Sequence, residues 1–217
     1  MPSASTAELR GERSHSVRRF YRLTAWLYDP IRRWWNRQTS EAESELDSLF
    51  AKHIRPDSRI LELGPGTGIN LERLYRAAPE FRSYLGIDLS KAMLARAERK
   101  VRGGSHAELR QGDICDLSNV EGPFDFVVST WVLSHLERPE YVVRSALRKL
   151  APGGTGVFLF ATAPDSGAQR AFYRAIWGAG SARIVDPDPL CKLPGFERLE
   201  TFPAGLGARA TLIVYRA

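Results

Sequence analysis

The chain has 217 residues, of which 43% are hydrophobic and 26% charged, a composition typical of one globular domain of ordinary size. It has no apolar run near the roughly 18 residues that a membrane-spanning helix needs, and its polar first twelve residues do not resemble a signal peptide. Its two cysteines are too few for a disulfide framework and form no CxxC metal pair, so we expect a cytoplasmic protein without a metal site.

Positive charge is concentrated at the N-terminus. The formal net charge is +6, and residues 1–40 carry eight arginines but only three acidic side chains. Such an arm is typical of a segment that meets an anionic surface, either lipid headgroups or nucleic acid, although a solvated helix face has the same composition.

The N-terminal quarter of the chain has a helical pattern. We expect residues 1–13 to be a disordered tail and residues 14–55 to form a helical cap or lid, because apolar positions recur there at helical spacing. Ser40 and Glu43 have the spacing of a capping box, which predicts a helix from Ser40. Its apolar face would consist of Leu46, Leu49, Phe50 and Ile54.

Residues 56–217 alternate between strand and helix patterns, which indicates a parallel sheet with helices on both faces. The predicted strands are Arg59–Leu63, Ser83–Ile87, Ala107–Gln111, Phe124–Ser129, Gly154–Phe160, Phe196–Phe202 and Thr211–Tyr215. The predicted helices are Ile69–Ala77, Lys91–Val101, Arg138–Leu150 and Ser166–Trp177.

Three glycines, Gly64, Gly66 and Gly68, follow the first predicted strand directly. Glycine permits φ > 0 in a tight turn and leaves room where a ligand approaches the backbone. A strand, a glycine-rich turn and a helix are the arrangement that brings a ligand to the carboxyl end of the first strand in doubly wound folds. Dinucleotide enzymes use G-x-G-x-x-G here, but the third glycine of this chain falls one position early.

Three acidic residues follow or end the first three strands. Glu62 precedes the glycine turn and would lie badly beside a pyrophosphate, but it suits a ligand with a cationic amine. Asp88 ends the second strand, where an acid can accept hydrogen bonds from both ribose hydroxyls, and Asp113 follows the third strand, within reach of an adenine amine. Together they indicate a nucleoside ligand that carries an amine.

Five ordered blocks carry a family resemblance. They read E-L-G-P-G-T-G, G-I-D-L-S with Met93 downstream, G-D-I, F-D-F-V-V-S and L-R-K-L-A-P-G-G, and they extend over roughly residues 57 to 160. In this order and spacing they resemble the class I S-adenosylmethionine-dependent methyltransferases, in particular those that modify small molecules, lipids and quinones. The resemblance implies an α/β, Rossmann-like, doubly wound sheet of seven strands with the last strand antiparallel.

The resemblance also implies roles for single residues. Gly64, Gly66, Gly68 and Glu62 would surround the methionine part of S-adenosylmethionine, and the backbone of Ser129 would meet its amine. Asp88 would hold the ribose, with Leu89 and Met93 beside the adenine and Asp113 and Ile114 at its edge. The product would be S-adenosylhomocysteine, and no metal is expected. Met93 could equally be an ordinary core residue.

The residues after the fourth strand, T-W-V-L-S-H-L, face the transferred methyl group in this family. His135 could orient or deprotonate an acceptor, since an unperturbed imidazole has a pKa near neutrality, or it could simply begin a helix. Trp131 could line the acceptor pocket or pack as a core residue.

Further candidates lie near the two ends of the chain. The segment around Tyr21 and Tyr28 is similar to one that folds over the cofactor in lipid and quinone methyltransferases, which implies that Tyr28 contacts the cofactor and Tyr21 the acceptor. Tyr173 and Trp177 are candidate residues for the wall of the acceptor pocket.

Residues 14–38 interleave arginines with tryptophans, as helices at a membrane interface do. We therefore expect this segment either to contact an anionic membrane or to cap the body of the protein.

These observations favour methyl transfer to a small, lipophilic acceptor such as an amine, a phenol or a quinone-like ring. Nucleic acid is disfavoured because the fourth strand lacks the [DNS]-P-P-[YF] turn of enzymes that methylate base amines, and because the sequence has no Pro-Cys pair to supply the nucleophile for pyrimidine C5 chemistry. The alternatives are a non-catalytic, cofactor-binding regulatory subunit, or a methyltransferase acting on phospholipid or nucleic acid. A nicotinamide dehydrogenase is a further rival.

Overall fold

The computed structural model describes residues 37–103, 106–163, 167, 183–204 and 208–217. The helices in these residues are α1 (Ser40–His53), α2 (Ile69–Ala77), α3 (Lys91–Ala97), α4 (Pro139–Leu147) and α5 (Asp188–Cys191). The strands are β1 (Arg59–Leu63), β2 (Ser83–Asp88), β3 (Ala107–Gln111), β4 (Phe124–Thr130), β5 (Leu150–Thr162), β6 (Phe196–Pro203) and β7 (Arg209–Arg216). Two 3₁₀ turns cover Glu98–Lys100 and Leu133–His135.

The strands form one sheet in the order β3-β2-β1-β4-β5-β7-β6, which confirms the predicted seven-stranded architecture. Strands β1 to β5 run parallel to one another, and β7 runs antiparallel to both of its neighbours, β5 and β6. The strand order reverses between β1 and β4. In such sheets, ligands bind in the crevice outside the carboxyl ends of the two strands at this reversal.

A hydrophobic layer covers each face of the sheet. One cluster packs α1 and α2 on the sheet through residues such as Leu46, Phe50 and Leu71. The other packs α4 on the opposite face, with Val143 and Ala146 among its members. Because side chains alternate along a strand, β1 contributes Ile60 to the first layer and Leu61 and Leu63 to the second. Glu62 therefore points towards the layer that holds α1 and α2.

The capping box predicted for α1 is wrong. Thr39 is the N-cap residue, its side chain makes no capping hydrogen bond, and Ser40 is already the first residue of the helix. The Glu43 carboxylate does not reach back to the helix start, because it pairs with Arg73 on α2. The predicted apolar face is confirmed, since Leu46, Leu49, Phe50 and Ile54 are all buried.

Most of the predicted N-terminal cap lies outside the described residues, as do the tail at residues 1–13 and nearly all of the predicted helix at residues 166–177. Within the described parts of the chain, no helix has the length and apolar character needed to cross a lipid bilayer.

Candidate active site

The turn after β1 brings the sheet and two helices together. Gly64, Gly66 and Gly68 have φ values of 73°, 56° and 78°, the left-handed region that was predicted for them. A Cβ on Gly64 would lie 2.4 Å from Val132 Cγ2, and one on Gly68 would lie 3.0 Å from Ala97 Cβ. The first and last glycines are therefore required by the contacts of the turn with the rest of the protein, before any ligand is considered.

Glu62 is a buried carboxyl group directly before this turn. Only 1% of the residue is exposed; Asn70 Nδ2 donates to its Oε1 at 2.7 Å, and the Tyr84 hydroxyl donates to its Oε2. Burial raises the pKa of Glu62 to about 7, although both hydrogen bonds oppose that shift. The group therefore changes charge near neutral pH.

Asp88, at the end of β2, fixes the glycine turn from the side. Its Oδ2 accepts a hydrogen bond from Gly66 N at 2.9 Å, and its Oδ1 accepts one from Ser90 N at 2.8 Å. Burial raises the pKa of Asp88, and the backbone donors partly offset this. Since a carboxylate has about four acceptor positions, these two bonds leave capacity for a ligand hydroxyl.

The residues predicted to surround adenine differ in exposure. Met93 is buried in the first turn of α3, and Ile114 is buried in the layer that holds α4. Leu89 is partly exposed, and its carbonyl accepts a hydrogen bond from Gln111 Nε2. Asp113 is exposed, and its Oδ1 accepts a hydrogen bond from Cys115 N at 2.9 Å.

The end of β4 lies beside the glycine turn. Ser129 is fully buried, and its Oγ donates to the carbonyl of Leu63 at 2.8 Å, which ties β4 to the last residue of β1. Trp131 follows with φ at +64°, a conformation that is uncommon for a residue other than glycine. Val132 then packs against Gly64. The loop predicted to face the methyl group is thus in direct contact with the turn predicted to hold the cofactor.

His135 ends the 3₁₀ turn in this loop, and its backbone N–H donates to the carbonyl of Val132 at 2.9 Å. Burial lowers the pKa of its imidazole to about 4. This imidazole therefore differs from an unperturbed ring, whose pKa lies near neutrality. At pH 7 the ring is uncharged and only weakly basic, which suits orientation of an acceptor better than removal of its proton.

Several polar residues of the site were missed by the sequence-based reasoning. Besides binding Glu62, Asn70 Nδ2 donates to Thr130 Oγ1 at 2.9 Å and so joins α2 to the end of β4. Among the residues that the structure describes, Asn70 Oδ1 and Thr67 Oγ1 are buried polar atoms without a hydrogen-bond partner. Only their positions in the sequence could have indicated these two residues. Thr67 lies inside the glycine turn, and Asn70 follows Gly68 by two residues.

Four predicted residues, Tyr21, Tyr28, Tyr173 and Trp177, lie outside the described residues. In the part of the chain that is described, no group of three or more His, Cys, Asp or Glu side chains is placed to hold a metal ion.

The sequence of this chain is similar to those of known proteins. Residues 61–158 match the family model described as a methyltransferase domain. A phosphatidylethanolamine N-methyltransferase from Cereibacter sphaeroides is 37% identical over 131 residues, which cover 58% of this chain. A demethylmenaquinone methyltransferase from Symbiobacterium thermophilum is 29% identical over 162 residues, which cover 71% of this chain. The chain spans 62% of the length of each of these two curated relatives.

The fold is also found in solved structures. The N-methyltransferase NodS from Bradyrhizobium japonicum WM9, in complex with S-adenosyl-L-homocysteine, superposes with a TM-score of 0.62. It is 22% identical, and the match covers 81% of this chain and 86% of that chain. The order and direction of the seven strands described above are thus those of a known fold.

Proposed function

We propose that this protein, whose residues 61–158 form a methyltransferase domain of the class I S-adenosylmethionine-dependent family, transfers a methyl group to a small, lipophilic acceptor. The observation that supports this most directly is the joint position of Glu62, Asp88 and the glycine turn at the reversal of strand order between β1 and β4. Amine-binding and ribose-binding carboxylates on either side of one turn fit a nucleoside that carries an amino acid.

The residues present fit S-adenosylmethionine. Its methionine end carries a carboxylate, which can accept a hydrogen bond from the buried Thr67 hydroxyl, and an ammonium, which can donate to Asn70 Oδ1 or Glu62. These partners would satisfy Thr67 Oγ1 and Asn70 Oδ1, and an unpaired buried polar group costs about 1–3 kcal/mol. Asp88 would accept from the ribose hydroxyls, with Leu89, Met93, Asp113 and Ile114 next to the adenine.

When bound, the sulfonium group supplies a methyl carbon that is already activated towards displacement. The task of the protein is then to align the acceptor atom with that carbon and to exclude water. Trp131 and His135, in the loop that packs on the glycine turn, are the described residues best placed for this. His135, uncharged at pH 7, would accept or donate one hydrogen bond to orient the acceptor.

His135→Ala should therefore lower turnover and leave the affinity for S-adenosylhomocysteine within about twofold of wild type. Because the pKa of His135 is about 4, the wild-type rate should not titrate with this group between pH 5.5 and 8. Calorimetry and pH–rate profiles measure the two quantities. A fully active His135→Ala variant would remove the residue from the mechanism.

A lipophilic acceptor is favoured by the composition of residues 14–38 and by two relatives, whose names refer to phosphatidylethanolamine and demethylmenaquinone. In this proposal the segment contacts an anionic membrane surface while the acceptor is drawn from it. Binding to anionic vesicles should weaken with added salt, since arginine–phosphate attraction is screened. Equal binding to anionic and neutral vesicles would contradict the membrane contact.

The experiment that tests the function is incubation of the protein with methyl-labelled S-adenosylmethionine and a whole-cell extract. Products are separated into organic-soluble, aqueous small-molecule and macromolecular fractions. Label in the organic fraction is expected. Label in nucleic acid or protein would contradict the lipophilic acceptor, and binding of S-adenosylhomocysteine without any transfer would favour a non-catalytic, cofactor-binding subunit.

A further inference from the structure

One buried carboxylate, that of Glu43, joins three elements of the fold. Its Oε2 forms an ion pair with Arg73 Nη1, and its Oε1 accepts a hydrogen bond from Trp131 Nε1 at 3.1 Å. Arg73 also donates to the backbone carbonyl of Glu43. Helix α1, helix α2 and the loop after β4 are thus connected through a single side chain.

Apolar contacts also attach α1 to the sheet. Leu46, Leu49 and Phe50 already bury the apolar face of α1. By contrast, Glu43 and Arg73 are only 7% and 4% exposed, and taking two charges out of water carries a penalty that their attraction only partly recovers. The ion pair with Arg73 orients the Glu43 carboxylate. One of its oxygens binds Arg73, and the other faces the indole of Trp131.

Trp131 is held in an unfavourable conformation at the point where the acceptor is expected. A left-handed backbone is unfavourable for an ordinary residue and persists only where surrounding contacts enforce it. For Trp131 two of these contacts are the bond from its backbone N to the carbonyl of Leu159, at 2.7 Å, and the bond from its indole to Glu43. The next residue, Val132, packs against Gly64 in the glycine turn.

We infer that Glu43 is a positioning residue, which holds the indole of Trp131 as one wall of the acceptor site. This inference rests on the proposed methyl transfer, and it assigns a helix outside the family-matched residues 61–158 to the acceptor half of the reaction. Loss of Glu43 should weaken use of the acceptor and leave the cofactor half, Glu62 to Asp88, unchanged.

The first test compares Glu43→Ala with Asp47→Ala. Both variants remove a carboxylate that binds Arg73, since Asp47 Oδ1 accepts from Arg73 Nε at 2.8 Å, but only Glu43→Ala releases the indole. Labelled methyl transfer is measured against increasing amounts of the organic-soluble cell extract. Glu43→Ala should raise the half-saturating amount at least fivefold and Asp47→Ala less than twofold, with affinity for S-adenosylhomocysteine unchanged in both.

Trp131→Phe keeps the buried ion pair intact and guards against a misfolded Glu43→Ala protein. It should raise the half-saturating amount of extract to the same extent as Glu43→Ala, and the double variant should be no worse than either, because both changes break the same contact. Additive effects in the double variant would overturn the inference.

A spectroscopic measurement makes the inference independent of turnover. The fluorescence of Trp131 is obtained by subtracting the spectrum of Trp131→Phe from that of the wild type. Its quenching by acrylamide reports how accessible the indole ring is, and a ring released from Glu43 should be more accessible. Glu43→Ala should raise this quenching at least twofold, and Asp47→Ala should not change it. Unchanged quenching, or an unchanged half-saturating amount of extract, overturns the inference. A wild type that neither binds S-adenosylhomocysteine nor transfers label overturns the proposed function instead, and the quenching then decides the Glu43–Trp131 contact alone.

Discussion

Asp88 has two potential sets of hydrogen-bond partners, the backbone N–H groups of Gly66 and Ser90 and the ribose of the proposed cofactor. Asp88→Ala removes both sets, and leaving polar ligand groups unpaired costs about 1–3 kcal/mol. We therefore predict that it weakens binding of S-adenosylhomocysteine by about 5- to 150-fold, measured by calorimetry. The matched control is Asp57→Ala, which removes an exposed carboxylate from the turn before β1. Equal affinity in the two variants would contradict the ribose role.

Glu62 makes stability depend on pH. Its pKa rises from 4.5 to about 7 on folding, so between these values the folded chain binds more protons than the unfolded chain. Stability therefore falls as pH rises through this window, by up to about 3 kcal/mol from this group. Glu62→Gln removes the titration, so its free energy of unfolding relative to wild type should increase from pH 5 to pH 8. Urea denaturation at several pH values measures this, and parallel curves would show that Glu62 does not titrate in the window.

At the residue scale, the sequence predicts candidate residues from their positions at strand ends and in the glycine turn, but it does not predict the environment of their side chains. Glu62 lies just before the turn that holds Gly64, Gly66 and Gly68, whereas Asp88 ends the second strand. Burial raises the pKa of Glu62 and lowers that of His135, and this burial exists only once the chain has folded. A single sequence carries no signal for that burial.

At the scale of elements, substitutions in the glycine turn can separate the cost of backbone strain from the cost of steric overlap. Gly64→Ala would place a residue at φ +73° with its Cβ 2.4 Å from Val132 Cγ2. The backbone strain costs roughly 1–2 kcal/mol and the overpacking about 1–3 kcal/mol, so we predict a loss of about 2–5 kcal/mol in the free energy of unfolding.

Gly153→Ala is the control, because Gly153 has φ +76° but no atom within 4 Å of the added Cβ. It should cost only the backbone strain, about 1–2 kcal/mol. Val132→Ala should recover the overlap part of the cost when combined with Gly64→Ala. Urea denaturation measures all four proteins, and equal losses in the two glycine variants would show that the contact with Val132 relaxes freely.

Element boundaries were predictable where the chain itself marks them. Strand β1 and helix α2 begin and end as predicted, because a Pro-Asp-Ser turn precedes β1 and the glycines separate it from α2. Strand β5 begins at Leu150, four residues earlier than predicted, since Pro152, Gly153 and Gly154 resemble a turn. There the ladder is irregular, with Phe124 paired to Leu150 and Phe126 to Thr155. Pairing with β4 thus overrides local propensity.

Across the whole molecule, the polar network around the site was the least predictable feature. Glu43 was assigned to a helix cap, yet its carboxylate binds Trp131, which lies 88 residues further along the chain. Such contacts depend on how α1 and α2 pack on the sheet. The order of the sequence blocks predicts where a cofactor would lie. How the helical layer contacts the loop after β4 depends instead on the packing of α1 and α2 on the sheet.

Binding of the proposed cofactor product should stabilise the whole domain against heat. A ligand that binds only the folded chain stabilises it by about 2.7 kcal/mol when present at 100 times its Kd. For a chain of this size, each kcal/mol raises the melting temperature by roughly 2–4 °C. S-adenosylhomocysteine at that excess should therefore raise the Tm by about 5–10 °C, and Asp88→Ala should lose most of the shift at the same concentration. NAD is the control ligand, because Glu62 would oppose its pyrophosphate while Asp88 could still bind its ribose. A shift with NAD and none with S-adenosylhomocysteine would favour a dehydrogenase, whereas the opposite result would assign the buried carboxyl group to the amine of an amino-acid nucleoside.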